Sequence, residues 1–334
     1  MIYSARTGPV PDAYISPDTD RLYPNLDEMI STAAAKITDL STAWVDSQPE
    51  KAPREPVILP LIRFGFRVLG PLFPGLAARL AYRFFTMPRQ RARHKKSEPV
   101  LEQARIFEFL AGRRMLKGYE WGEGNRVVLL VHGWESRGTA LRTFVAPLLA
   151  AGYRVVAFDG PAHGDSRGRA TTMPEFAGAV RAIMNQFGQI EHIITHSFGG
   201  PSTMFALRHL DPDRHIKRLV MIAAPNRAQA VFDRATAMLG VRGKAKARFR
   251  QMLERSAGLP LHAADVSGTL PPPNIDEVLL VHDREDAIVP FDDALETAHN
   301  WPDVHLLATR GYGHYRLMKN PDLIRYVADF LTAD

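Results

Sequence analysis

Cysteine is absent from all 334 residues, which excludes disulfides, thiolate metal sites and cysteine nucleophiles. Long uncharged apolar runs are missing as well. The most hydrophobic stretch, residues 57–86, is interrupted by Arg63, Arg67, Arg79 and Arg83 and broken by Pro71 and Pro74 into two short helices. A membrane-spanning helix needs about 20 nearly uncharged residues. Residues 1–14 lack the basic-then-apolar order of a secretory signal, so a cytoplasmic location is expected, with attachment to a membrane surface as its variant. The twelve histidines have no tight ligand spacing, and there is no Gly-rich dinucleotide fingerprint or phosphate loop. No metal and no cofactor are therefore expected. Acids are scarce in one place only. Between Arg54 and Lys117 fourteen Lys or Arg face four acids, although the whole chain carries only +6. Such a block can face anionic lipid, nucleic acid or water; nucleic acid is not expected as a partner.

What is present divides the chain into four parts. Residues 1–103 read as an N-terminal extension, at first disordered and then helical and basic. Within it, apolar residues recur at helical spacing from Leu26 to Trp44, with Asn25 as N-cap, and Pro49 to Pro56 reads as a linker. From Ala104 strands and helices alternate. A hairpin of Arg105–Leu110 with Arg113–Trp121 precedes the apolar run Val127–Val131, which has the composition of a buried parallel strand. Further strands are expected at Arg154–Phe158, His192–Thr195 and Lys217–Ile222, with helices at about 138–150, from Thr172 and from Gly199. Residues 104–225 thus form the first part of an α/β core, 226–274 a helical insertion and 275–334 the second part of the core, with strands at Glu277–Val281 and Val304–Ala308 and a last helix at about 315–332. Repeated βα units imply a mostly parallel sheet with helices on both faces, and ligands then bind at the C-terminal strand ends.

Three motifs fall at such ends. Thr195-His196-Ser197-Phe198-Gly199-Gly200 lies directly between a strand and a helix, where a tight turn lifts a serine Oγ above the sheet. Small flanking residues are needed there because the two backbones approach closely; Gly199 meets that need, and Thr195 is bulkier than the usual glycine. His132-Gly133-Trp134 follows the first parallel strand. Backbone N–H groups of Trp134 and Phe198 could both point at a developing oxyanion. Downstream, His282 to Pro290 contains Asp286, and Gly311-Tyr312-Gly313 precedes His314. The chain order Ser197, Asp286, His314 is that of one triad architecture among several.

From about Ala104 to Leu331 the sequence resembles the α/β-hydrolase superfamily, and it is similar to bacterial hydrolases that carry the turn Val131 to Trp134, the loop Asp159 to Ser166 and the elbow His196 to Gly199. The resemblance implies an eight-stranded sheet and assigns Ser197 as nucleophile, His314 as base and Asp286 as the acid, preferred to Asp283 and Glu285 by its place before Val289-Pro290. Asp159, His163 and Asp165 are then architectural, Asn226 stands where some relatives hold their acid, and His196 points away from the chemistry. Residues 226–274 occupy the usual place of a lid. The expected reaction is hydrolysis of a small-molecule carboxylic ester, with thioester cleavage, acyl transfer or a membrane-surface lipase as alternatives on the same triad, and a non-catalytic binding protein as the alternative without it. The apolar faces of residues 57–86 must pack on the core, on a second subunit or on lipid; packing within the protein, partly against the upstream helix, is the expectation. Oligomeric state and acyl preference are not specified.

Overall fold

The computed structural model describes residues 37–40, 57–94, 98–208, 214–268 and 271–333. Its centre is one nine-stranded sheet in the order β1-β9-β8-β7-β6-β4-β5-β3-β2. The strands are β1 (Ile37–Asp39), β2 (Arg105–Ala111), β3 (Arg114–Trp121), β4 (Val127–Val131), β5 (Arg154–Phe158), β6 (His192–His196), β7 (Ile216–Ile222), β8 (Ile275–Asp283) and β9 (Val304–Thr309). β2 and β3 form the expected antiparallel hairpin, β3 also runs antiparallel to β5, and all other pairings are parallel. The eight strands β2 to β9 form the anticipated sheet.

The ninth strand corrects one expectation. Residues 37–39, inside the helix read from Leu26 to Trp44, pair in parallel with Leu306–Ala308. The exposed edge of β9 offers unpaired N–H and C=O groups, and β-branched Ile37 and Thr38 suit a strand. Arg284 anchors the segment through Asp39 at 2.7 Å. The remainder of that helical stretch, its cap Asn25 and the linker 49–56 lie outside the described residues.

Helices cover both sheet faces. In order they are α1 (Leu59–Leu72), α2 (Pro74–Thr86), α3 (Val145–Ala150), α4 (Met173–Phe187), α5 (Gly199–Leu207), α6 (Ala228–Leu239), α7 (Gly243–Ala257), α8 (Phe291–Asn300), α9 (Gly313–Arg316) and α10 (Pro321–Thr332), with short single-turn pieces between some of them. The helix expected at 138–150 begins as a 3₁₀ stretch, Gly138–Phe144. Thr172 and Glu175 close the expected capping box on α4. Alternate residues of the central strands enter two separate cores: Leu129, Val131 and Ile193 on one face, Val128, Leu130 and Ile194 on the other.

A third core lies away from the sheet. Pro71 sits in the last turn of α1, and the chain breaks at Phe73 before Pro74. The resulting α1–α2 hairpin packs on the 226–274 insertion, joining Leu59, Phe66, Ala77 and Ala81 to Phe232 and Phe249. The small faces of Ala77, Ala78 and Ala81 let α2 approach α7 closely, with Phe85 edge-on to Phe249 at 5.6 Å. Tyr82 donates to Ser256 at 2.9 Å and Arg63 to the Met238 carbonyl at 2.7 Å. A fully buried Phe contributes roughly 1.5–3 kcal/mol, so this is a substantial join. The hairpin's partner is therefore the insertion.

Candidate active site

The β6–α5 turn forces Ser197 to a φ of 52°, a left-handed conformation that non-glycine residues adopt at a cost of about 1–3 kcal/mol. Tight packing on both sides holds it there. A Cβ on Gly199 would lie 2.6 Å from the Val131 carbonyl, and one on Gly133 would lie 2.9 Å from the Ser197 Cβ. Thr195 is accommodated inside β6, where its hydroxyl donates to the Val220 carbonyl at 3.2 Å. Gly200 serves other neighbours: a Cβ there would lie 2.7 Å from Ala224 Cβ and 3.0 Å from Met221 Cε, while Thr195 Oγ1, at 3.5 Å, would be in ordinary contact. The second glycine of the Gly199-Gly200 pair thus makes room for Ala224 and Met221.

β8 and β9 deliver the other two residues. His314, at the start of α9, and Asp286, on the loop after β8, are both buried, with Nδ1 to Oδ2 at 2.7 Å. The second oxygen, Oδ1, accepts the Ile288 and Val289 amides at 2.8 and 2.9 Å. Burial by itself pushes the Asp286 carboxyl up; the hydrogen bond from His314, the nearby His282 and the Val289 amide outweigh it, and the group stays below the ordinary carboxylate range. An ionised Asp286 fixes the proton of His314 on Nδ1 and leaves Nε2 as the acceptor nitrogen. Asp283 is occupied differently, taking the Thr309 hydroxyl at 2.8 Å and the Tyr312 amide at 3.0 Å.

His196 departs from expectation. Its ring packs on that of His314 at 4.8 Å, and Nε2 donates to the His314 carbonyl at 3.0 Å. Burial, with His314 adding to it, lowers its pKa to about 3, so it is a neutral support beneath the neighbouring ring. The residue turns inward because the strained elbow rotates only Ser197 out of the strand's alternation.

Trp134 and Phe198 flank the elbow, ring to ring at 5.4 Å. His132 orients this wall: one ring nitrogen meets the Gly133 carbonyl at 2.7 Å and the other accepts the Gly160 amide at 2.9 Å. Holding the Gly133 carbonyl turns the N–H of the same peptide, that of Trp134, the opposite way. Burial lowers the His132 pKa, which keeps the ring neutral and this tautomer in place.

The loop after β5 is clasped by the N-terminal extension, which no sequence signal announced. Arg91 donates to the carbonyls of Gly164, His163, Gly168 and Ser166. Buried Asp159 accepts from Tyr119 at 2.7 Å, Gly138 N at 2.6 Å, Asp165 N at 2.7 Å and His94 Nε2 at 3.1 Å. His94, Asp159 and Asp165 bring possible ligand atoms within 4.8 Å of one another. Both nitrogens of His94 are engaged, however, Nδ1 by Thr139 at 3.2 Å, so the cluster ties the extension to the core through protein partners. Asn226 bridges Glu296 and the Ser267 amide and braces the base of the insertion.

Above Ser197 lies a chamber of about 750 Å³, within the usual range for small-molecule sites. Ser197, Trp134 and Phe198 form part of its floor, Ile62 and Phe85 of the hairpin one wall, and Val231 and Leu253 of the insertion another. The few polar side chains include Arg89, Arg234 and Glu254.

Against known proteins, residues 128–325 match the model of the alpha/beta hydrolase family. The chain belongs to that family. Among solved structures, this α/β-hydrolase-family chain superposes on an esterase from Pyrococcus furiosus with a TM-score of 0.54 at 20% identity, covering 74% of this chain and 96% of that one. Mouse alpha/beta hydrolase domain-containing protein 10 gives 0.54 at 17%, covering 68% and 97%. At such identities the likeness is one of fold. A curated relative, the dihydrolipoyllysine-residue acetyltransferase component of the acetoin cleaving system of Cupriavidus necator, is 39% identical over 84 residues. The match covers 24% of this chain and about a fifth (22%) of the length of that relative.

Proposed function

We propose that this protein is a serine hydrolase that cleaves carboxylic esters with an apolar acyl or alcohol part. The observation that carries the reading is the buried His314–Asp286 pair at 2.7 Å, packed at 4.8 Å on the ring of His196, whose chain neighbour Ser197 is held at φ 52° on the floor of an apolar chamber. His314 Nε2 takes the Ser197 proton as Oγ attacks the ester carbonyl. The tetrahedral oxyanion is met by the Trp134 and Phe198 amides, each donor contributing about 3–4 kcal/mol. Collapse breaks the C–O bond, and the departing alkoxide receives the proton from Nε2. Water, deprotonated by the same nitrogen, then releases the acid and restores Ser197. Asp286 holds the imidazole in the required tautomer and stabilises the imidazolium. The insertion and the α1–α2 hairpin act as a roof that excludes bulk water from the oxyanion site.

Labelling by a fluorophosphonate, followed by a panel of acyl esters, thioesters and lactones, tests the proposal. Wild type should be labelled at Ser197 and should turn over at least one ester. Ser197→Ala should lose labelling and about 10⁴-fold or more in turnover while its melting curve is kept. A folded Ser197→Ala variant with near-wild-type turnover overturns the reading.

A further inference from the structure

The outer side of the α1–α2 hairpin is neither core nor chamber. Of fifteen large apolar side chains that stand exposed among the described residues, eleven fall between Val57 and Phe84. On α1 the residues opposite the buried face are Leu61, Phe64, Val68 and Leu72, spaced to form one stripe. Leu61, Phe64 and Leu72 are 68%, 63% and 68% exposed. On α2 a second stripe, Leu76, Leu80 and Phe84, lies beside it, and between the two helices runs a groove of about 230 Å³. Ile62 and Phe84 line both that groove and the chamber above Ser197, so the outer apolar surface continues into the chamber wall. Charge is as one-sided as hydrophobicity: residues 57–97 contain nine Lys or Arg and no Asp or Glu. Arg67, Arg79 and Arg83 are exposed on the same hairpin, flanking the stripes.

We propose that the α1–α2 hairpin is a docking face for an anionic lipid bilayer, lying on the membrane with its two apolar stripes in the interface and its arginines at the headgroups. An apolar face flanked only by cations is the composition that binds anionic lipid. A second copy of this chain fits the same face poorly, because a two-fold pairing would set arginine against arginine without an acid between them. No helix of the described residues is long and apolar enough to cross a membrane, which is consistent with a segment that lies on the surface. Docked in this way, the chamber wall shared by Ile62 and Phe84 meets the lipid, and an apolar ester can pass from bilayer to chamber without crossing water. That last step rests on the proposed hydrolase function; the docking does not.

The experiment is co-sedimentation of the full-length protein with phosphatidylcholine vesicles, with and without phosphatidylglycerol. Binding should require phosphatidylglycerol and weaken as NaCl is raised. L61S/F64S/L72S should lower partitioning about tenfold or more, and R67Q/R79Q/R83Q should abolish the preference for anionic over neutral vesicles. Neither set lines the chamber, so melting temperature and fluorophosphonate labelling of Ser197 should be unchanged in both. Ser197→Ala should bind vesicles like wild type, which separates failure of the docking from failure of the hydrolase reading. Absence of binding in folded wild type overturns the proposal. So does a salt-resistant dimer, seen by sedimentation, that L61S/F64S/L72S converts to monomer.

Discussion

At the scale of single residues, Asp286 and Asp283 are three positions apart and face different tasks. Asp286→Asn should lower ester turnover by on the order of 10⁴, because an amide favours the wrong imidazole tautomer. Asp283→Asn disturbs the Thr309 and Tyr312 contacts and should cost chiefly stability, about 1–3 kcal/mol. Turnover and urea midpoints on both variants check this, and a larger kinetic loss in Asp283→Asn would reverse the assignment. Ser197, Asp286 and His314 were legible as candidates because each sits in a short motif tied to a strand end, and the structure brings two of them, Asp286 and His314, within 2.7 Å. Supporting groups were less so. His132 and His196 are each defined by a bond to a carbonyl, of Gly133 and of His314, and no spacing rule encodes a bond of that kind. For Gly200 the signal was present in the doubled glycine, but its purpose depends on how close Ala224 and Met221 come.

Elements bring in packing that is less local. Around the elbow, β6 and α5 meet at a point where two glycines do separate jobs. Gly199→Ala would drive a methyl against the backbone carbonyls of Val131 and His132, which cannot give way, and should yield little folded protein. Gly200→Ala meets the Met221 methyl, which can swing aside, and the Ala224 Cβ, which moves only with its own loop backbone and not with a strand-end carbonyl, and should fold with a loss of about 1–3 kcal/mol. Thermal melts of the two variants provide the comparison; equal stabilities would contradict it. The short strand β1 shows why element type was misread at one place. Ile37 and Leu40 fit a helical period, yet the unpaired edge of β9 outweighed local spacing. Periodicity reports which residues are apolar and does not report which backbone groups elsewhere need partners.

For the molecule as a whole, two consequences can be measured. Deleting residues 1–96 removes Arg91 and His94 from the loop after β5 and exposes Phe232 and Phe249. The truncated protein should be insoluble or strongly destabilised although Ser197, Asp286 and His314 remain, as expression and melting will report. Acid should act through buried histidines. Burial holds His163 and His196 near a pKa of about 3, against about 6.5 in an unfolded chain. Above pH 6.5 neither state binds the proton and stability is unaffected. As pH falls below that value the unfolded state gains protons first, so each group withdraws about 1.4 kcal/mol per pH unit until its folded pKa is approached. Urea midpoints should decline through this window, and H163Q/H196Q should flatten the decline; an unchanged slope would count against the buried, neutral state of both rings.

The join between hairpin and insertion also has a history in time. Tyr82 must wait for Ser256, 174 residues later in the chain. At a synthesis rate of about 5–20 residues per second, that is roughly 10–35 s on the ribosome. Throughout that interval the hairpin has emerged with both of its apolar sides bare, the one destined for Phe232 and Phe249 and the one that stays outside. The nascent protein therefore offers a chaperone, or a nearby bilayer, both greasy faces of the hairpin, of which the finished protein keeps one bare.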